Sequence, residues 1–264
     1  MNAASDKIAR PPVIEMFDAA VASARAPETA VIAGVNWRVS LDDYWVIGGP
    51  AGSGKSDLLA TAAGLQRPLR GVHRLFGQEL SYLHEGPRLH ERLRAGVVFE
   101  DGARPFPQLT VEENVALPLR YHRDEGAAAI GRRVAELLEA TELSAYAGVA
   151  PGDLPRAMIP RVGLARALAL GPEVLLLDNP LAGLDPRQER WWLDFVAGLS
   201  AGHPLLKSRK MTLVVACDDL RSWLGQGHQF ALLKESRFLP LGGRADLERC
   251  NEPLLRELIA AKSP

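Results

Sequence analysis

The chain has 264 residues, 47% of them hydrophobic, enough to bury a sizeable core in one large α/β domain or two small ones. Its 31 basic and 32 acidic side chains leave a formal net charge of −1, which excludes the electrostatic footprint of a nucleic-acid binder, so no nucleic acid is expected as a partner. Two cysteines, Cys217 and Cys250, form no CxxC pattern, and the opening MNAASDKIARPP lacks a signal peptide's apolar stretch; these features argue against a disulfide framework, a zinc site and secretion, and for a reduced, cytosolic setting.

Val13 to Val21 reads as a first strand and Ala30 to Val35 as a short apolar segment. Trp45-Val46-Ile47 reads as a buried strand that stops at Gly48-Gly49-Pro50, and a helical run follows from Ser56 to Leu65. Arg94 to Phe99 carries another short strand. Thr110 to Ala147 looks helical, with Val115, Ala116 and Leu117, then Val134, Leu137 and Leu138, at helical spacing. Pro160 suits the first turn of a helix that runs to Leu170. Val174 to Leu177 is a continuous apolar strand of the kind found in a parallel sheet covered on both faces, and Thr212 to Ala216 is another. Trp191 and Trp192, in a charged helical segment, are expected to pack in the core, with contact to a partner as the alternative for one of them. Leu254 to Ala261 reads as an amphipathic terminal helix. Strands alternating with helices predict an α/β fold with a mostly parallel central sheet, and the mainly helical stretch from about 103 to 165 looks like an insertion. No apolar run approaches the roughly 20 residues of a membrane helix, so work at a membrane requires a partner that holds the chain there.

Between the third strand and its helix stands Gly49-Pro50-Ala51-Gly52-Ser53-Gly54-Lys55-Ser56, a match to G-x-x-x-x-G-K-[ST]. The glycines let backbone N–H groups turn toward phosphates, Lys55 supplies a point charge for the β/γ oxygens, and Ser56 offers a hydroxyl to Mg²⁺. The positive end of the following helix faces the same anion. ATP or a close relative is the expected ligand. A P-loop also needs a carboxylate for the metal at the end of a neighbouring apolar strand, and Asp178, closing VLLLD, fits.

With those residues in place, the chain resembles the nucleotide-binding subunit of an ABC transporter over nearly its whole length. Residues 97–120, VVFEDGARPFPQLTVEENVALPLR, look like the Q-loop and the start of the helical subdomain; residues 153–180 look like the signature region running into Walker B; Ala182 to Asp185 look like the D-loop; residues 212–219, TLVVACDD, look like the H-loop strand. Residues 97–120 are closest in wording to the ATPases of bacterial MCE-type lipid-trafficking systems. The resemblance implies a P-loop NTPase fold in one domain, with a RecA-like core over about 12–102 and 166–245, a helical subdomain over about 103–165 and a terminal helix over about 246–261. It implies ATP and Mg²⁺ as cofactors, with Ser56, Asp178 and Glu100 at the metal. As partners it implies transmembrane permease subunits that dock on the helical insertion and a second ATPase subunit, identical or not, sharing two composite sites. The chain would then sit in the cytoplasm, peripheral on the inner face of the cell membrane.

The chain departs from the family at the chemical residues. The position of the catalytic glutamate is Asn179, whose amide cannot accept a proton from water. The position of the H-loop histidine is Cys217, a weak donor that reads as a buried apolar thiol. The Q-loop glutamine is replaced by Glu100, beside Asp101. The signature becomes Leu154-Pro155-Arg156-Ala157-Met158. Pro155 has neither hydroxyl nor N–H, and Arg156 and Ala157 bring side chains where backbone has to approach closely. Asp57 follows Ser56 where threonine is usual, an acid near the α-phosphate. Ala22 to Ala30 holds no aromatic residue to stack on a base, which leaves Arg25 as a substitute. Three functions follow: a nucleotide-binding subunit of a lipid or hydrophobic-substrate transporter with little or no hydrolysis; an active transport ATPase that uses Glu100 or a partner's residue; or an ABC-type regulator without a membrane partner.

Overall fold

The chain opens with two long strands, β1 (Pro12–Ala22) and β2 (Ala30–Ser40), followed by a short central strand β3 (Tyr44–Gly48). The structure, a computed structural model, describes residues 11–100 and 104–260. After the P-loop come α1 (Lys55–Ala62), β4 (Arg70–Leu75), β5 (Gln78–Glu79), α2 (Glu85–Leu93) and β6 (Ala95–Val98). Three helices follow, α3 (Val111–His122), α4 (Ala127–Ala140) and α5 (Ile159–Leu168), then β7 (Val174–Asp178), α6 (Pro186–Ala201) and β8 (Thr212–Cys217). The chain closes with β9 (Gln229–Lys234), β10 (Arg237–Gly242), α7 (Arg244–Leu247) and α8 (Pro253–Ile259).

Among the described residues, ten strands join one sheet in the order β5-β4-β1-β2-β10-β9-β3-β8-β7-β6. Every pairing in the run β9-β3-β8-β7-β6 is parallel. β1 pairs antiparallel with both β2 and β4, and β4 with β5. The mostly parallel central sheet expected from the sequence is this run of parallel strands, extended on one side by antiparallel ones. The physical reason is connection length: β1 and β2 are joined by a short turn, which permits only antiparallel pairing, whereas β3, β7 and β8 are separated by helices. Burial follows the same division. β3, β7 and β8 are buried along their whole length, while β2 alternates, with Val35, Trp37 and Val39 inside and Asn36 and Arg38 outside. That alternation carries β2 five residues beyond the Ala30 to Val35 segment.

Helix α1 stops at Ala62, three residues short of the expected Leu65, because Gly64 turns left-handed (φ +72°) and a Cβ there would lie 2.5 Å from Leu80. The helical run of Thr110 to Ala147 is two helices, broken between Arg123 and Gly126. Thr110 and Glu113 form a reciprocal capping box at the start of α3. Buried Asn114 accepts from Phe106 N (2.8 Å) and donates to the carbonyls of Phe106, Leu109 and Thr110, which ties the preceding loop to α3. Val115, Leu119, Ile130, Val134 and Leu164 belong to the core on one face of the sheet; the expected first residue of the insertion, 103, lies outside the described residues. The terminal helix α8 ends at Ile259, and the expected Ala261 likewise lies outside them. Leu255 and Leu258 are buried, and Leu220 N donates to Leu258 O (3.1 Å). Among the described residues no helix is long and apolar enough to cross a membrane.

Candidate nucleotide site

Strand β3 brings the P-loop to the middle of the parallel run, because an apolar YWVI segment buried on both faces needs neighbours on both edges. The loop turns on Gly52 (φ +78°) and Gly54 (φ +92°), a left-handed geometry that costs a residue with a Cβ about 1–2 kcal/mol. Helix α1 starts at Lys55. Its Nζ donates to the carbonyls of Gly49 (2.7 Å) and Pro50 (2.9 Å), so the side chain folds back over the loop. Burial pushes the Lys55 ammonium below its ordinary range, opposed by the carboxylates of Asp218, Asp178 and Glu100. Ser53 Oγ is buried without a hydrogen-bond partner.

Asp178 stands at the end of β7, 3% exposed, and hydrogen-bonds Ser56. Burial raises its carboxyl above the usual range, against the stabilising Ser56 bond; Glu100 and Asp57 raise it further, while Lys55 opposes. A buried carboxylate that repels its neighbours suits a divalent cation. The cradle therefore fits a phosphate chain with Mg²⁺: a folded-back lysine, an unpartnered serine hydroxyl inside the loop, and a hydroxyl–carboxylate pair of hard oxygen donors. When bound, Mg²⁺ supplies neutralisation of phosphate charge.

Beside the loop, the strand ends are laced together. Gly49 N donates to Cys217 O (3.1 Å) and Asn179 N to Ala216 O (2.7 Å). Asn179 adopts a left-handed backbone (φ +46°), which asparagine tolerates better than most residues. Cys217 is 2% exposed, and burial drives its thiol pKa far up, so it stays protonated. Glu100, Asn179, Cys217 and Asp218 line one cavity of about 320 Å³. A second cavity, about 560 Å³, brings Glu100 together with Arg156, Ala157 and Asp185. Asp185 caps α6, accepting from Arg187 N (2.9 Å) and Gln188 N (3.0 Å). Pro155 precedes a single 3₁₀ turn, Arg156–Met158; Leu154 is buried, and Met158 packs partly on the core.

Asp57 is close enough to raise the Asp178 carboxyl, and its Oδ1 also accepts from Ala24 N (2.8 Å), which pins the β1–β2 turn to α1. One expectation changes. Trp191 is not simply core. Trp192 is fully buried, but Trp191 is half-buried, stacked on Phe195 (5.0 Å) and covered by the Arg161 guanidinium at 3.5 Å. Arg25 is exposed in the turn, and Asp101 lies outside the described residues. Sequence reasoning missed Asp218, whose one signal was its place directly after Cys217. It also missed buried Arg161, which bonds Glu142 (2.7 Å) and Gln188 (2.8 Å).

Residues 32–182 match the family model described as ABC transporter. The chain belongs to the ABC transporter family. It is 35% identical over 202 residues, 75% of this chain and 79% of the relative, to the probable sulfate/thiosulfate import ATP-binding protein CysA of Chlorella vulgaris. It is 31% identical over 206 residues, 78% and 73%, to the aliphatic sulfonates import ATP-binding protein SsuB of Bacillus licheniformis. With the methionine import ATP-binding protein MetN of Caulobacter vibrioides it shares 37% identity over 169 residues, 64% of this chain but half the length of that protein. Among solved structures, the dimeric post-hydrolysis state of the ATP-binding cassette MJ0796 bound to ADP and Pi matches 87% of this chain and 99% of its own, at TM-score 0.75 and 25% identity. CbiO1 from Clostridium perfringens shares the ABC fold at TM-score 0.76 and 21% identity, over 91% of this chain and 92% of its own. The P-loop NTPase fold, with its mixed sheet and added helices, is that of these ABC domains.

Proposed function

We propose that this ABC protein is a nucleotide-binding subunit of a transport complex that holds Mg-ATP on its P-loop and turns it over weakly or not at all. The observation that carries the proposal is the pairing, at one cavity, of an amide at Asn179 with a buried neutral thiol at Cys217. Neither can accept a proton from water, and general-base assistance contributes roughly 10²–10⁴-fold in rate. On this reading Gly49 to Lys55 bind the phosphates, Ser56 and Asp178 hold the metal, and Glu100 stands near it. Asp57 fixes the turn beside the nucleotide. Leu154 to Met158 face a second ATPase subunit with Asp185, in a homodimer or a heterodimer.

Permease subunits are the second class of partner. A groove of about 650 Å³ runs between α3 and α4, with Ala116, Ile130, Val134 and Leu138 in its lining and Glu112 and Arg120 among its polar groups. An apolar floor with charges of both signs suits one short amphipathic helix of a membrane protein, which would hold the chain on the inner membrane face. The wording of residues 97–120 supports a lipid or other hydrophobic cargo, whereas the relatives named above are import ATP-binding proteins for sulfate, sulfonates and methionine. Steady-state ATP hydrolysis by purified protein is the test. Robust turnover that disappears in Lys55→Ala would sink it.

An active enzyme with Glu100 as base is the second reading, favoured by one observation: Glu100 lines the same cavity as Asn179. Glu100→Gln should then abolish turnover, and activity that survives this change rules Glu100 out.

A further inference from the structure

We propose that the short helix α8 is a crossbar that positions the phosphate loop, so that its docking and nucleotide binding strengthen each other. The inference rests on the nucleotide-binding proposal above and concerns what holds that loop in place.

The crossbar spans three neighbouring strands. Strand β3, which feeds the loop, lies between β9 and β8. The start of α8 is tied to β9. Lys234, the last residue of that strand, donates from Nζ to Glu252 Oε1 (2.8 Å), and the same oxygen accepts from Leu254 N (3.4 Å) in the first turn of the helix. The end of α8 is tied to the segment after β8, where Leu220 N donates to Leu258 O (3.1 Å). Between these ties the helix presses on β3 itself. Gly48 is the last residue of β3, and a Cβ there would lie 2.9 Å from Leu258 Cδ1 and 2.9 Å from Leu220 Cδ1. Side chains have no room at that distance, so the two leucines pack on bare backbone, one residue before the loop begins at Gly49.

The direction of that contact matters. Pairing with Cys217 of β8 and Leu232 of β9 fixes Gly48 within the plane of the sheet. A Cβ direction points out of that plane, so Leu258 and Leu220 fix Gly48 from above. Gly49 N then donates to Cys217 O (3.1 Å), and the loop departs from this footing. Leu258 is thus a positioning residue, which touches no phosphate and acts through Gly48.

The helix is also readily shifted. It has seven residues, of which Leu255 and Leu258 are buried, and a helix that short is not stable without its packing. Its undocking is a local opening that leaves the sheet intact. A nucleotide that favours the fixed loop favours the docked helix, and by linkage the docked helix favours the nucleotide by the same factor.

Hydrogen exchange on the purified chain, with and without saturating Mg-ADP, reads this coupling without any variant. Amides of residues 253–259 exchange through local opening, so a ligand that stabilised only the fold as a whole would leave them unchanged. Mg-ADP should slow them about fivefold or more. Reciprocally, Leu258→Ala opens a gap against Gly48 and should weaken Mg-ADP binding about fivefold or more in calorimetry. Leu258→Met keeps the volume and should restore most of that affinity. Unchanged exchange in α8 on saturation overturns the inference, as does wild-type affinity in a folded Leu258→Ala variant. Should Leu258→Ala fail to fold, the exchange result decides alone. A wild-type chain that binds no Mg-ADP sinks the nucleotide-binding proposal itself, so the two failures are distinguishable.

Discussion

The P-loop and the strand-end cavity beside it are neighbours with opposite chemistry. In the loop left-handed glycines, Lys55 folded over the carbonyls of Gly49 and Pro50, and an unpartnered Ser53 hydroxyl suit an anion, and the adjacent Ser56–Asp178 pair suits the cation that accompanies it. In the cavity the residues that would act on a bound phosphate are an amide, a neutral thiol and carboxylates. The contrast teaches that the phosphate loop and the groups beside it are set by different strand ends of one sheet, so the sequence can vary one without the other.

The largest expected effect breaks the contrast by placing a carboxylate where Asn179 stands. Asn179→Glu should raise steady-state ATP turnover by about 100-fold or more if the remaining machinery is competent, measured by phosphate release. Its sharpening counterpart is Lys55→Ala, which removes a charged donor and should weaken Mg-nucleotide binding about 10- to 100-fold, corresponding to about 1.5–3 kcal/mol, read by calorimetry. Third comes acid. His73 on β4 is buried, its Nε2 donates to Ala62 O (3.2 Å) at the end of α1, and burial pushes its pKa down to about 4. The unfolded chain binds this proton below about pH 6.5 and the folded chain only below about pH 4, so stability falls as pH drops through that window. The loss should reach about 2 kcal/mol by pH 5 in chemical denaturation, and His73→Leu should flatten that slope. Smallest is Asp57→Ala, which frees Ala24 N and should cost about 0.5 kcal/mol in thermal unfolding; a larger loss would show that the β1–β2 turn supports α1 more than one bond implies.

The loop was the most legible part of the chain because its chemistry is local. Eight consecutive residues fix the glycines, the lysine and the hydroxyl, and the helix that follows begins at Lys55. β3, β7 and β8 were legible for a related reason, since strands buried on both faces must be apolar throughout. The strands β4, β5, β9 and β10 and the helix α2 went unpredicted. Helix α2 has no buried residue, so no apolar period marks it. β5 is two residues long, and β10 carries Pro240 and a single parallel bridge to β2. Side-chain partners were less legible still. Nothing in the stretch Lys55-Ser56-Asp57 indicates that Asp57 reaches back to Ala24, thirty-three residues earlier.

By itself, then, the sequence determined the fold family and the phosphate loop, because a glycine or a lysine keeps its chemistry wherever the chain places it. Only the tertiary structure decided which groups share a cavity: Glu100, Asn179, Cys217 and Asp218 come from three separate strand ends. Parallel pairing across the sheet, a matter of long-range burial and hydrogen bonding, aligns those ends beside Lys55.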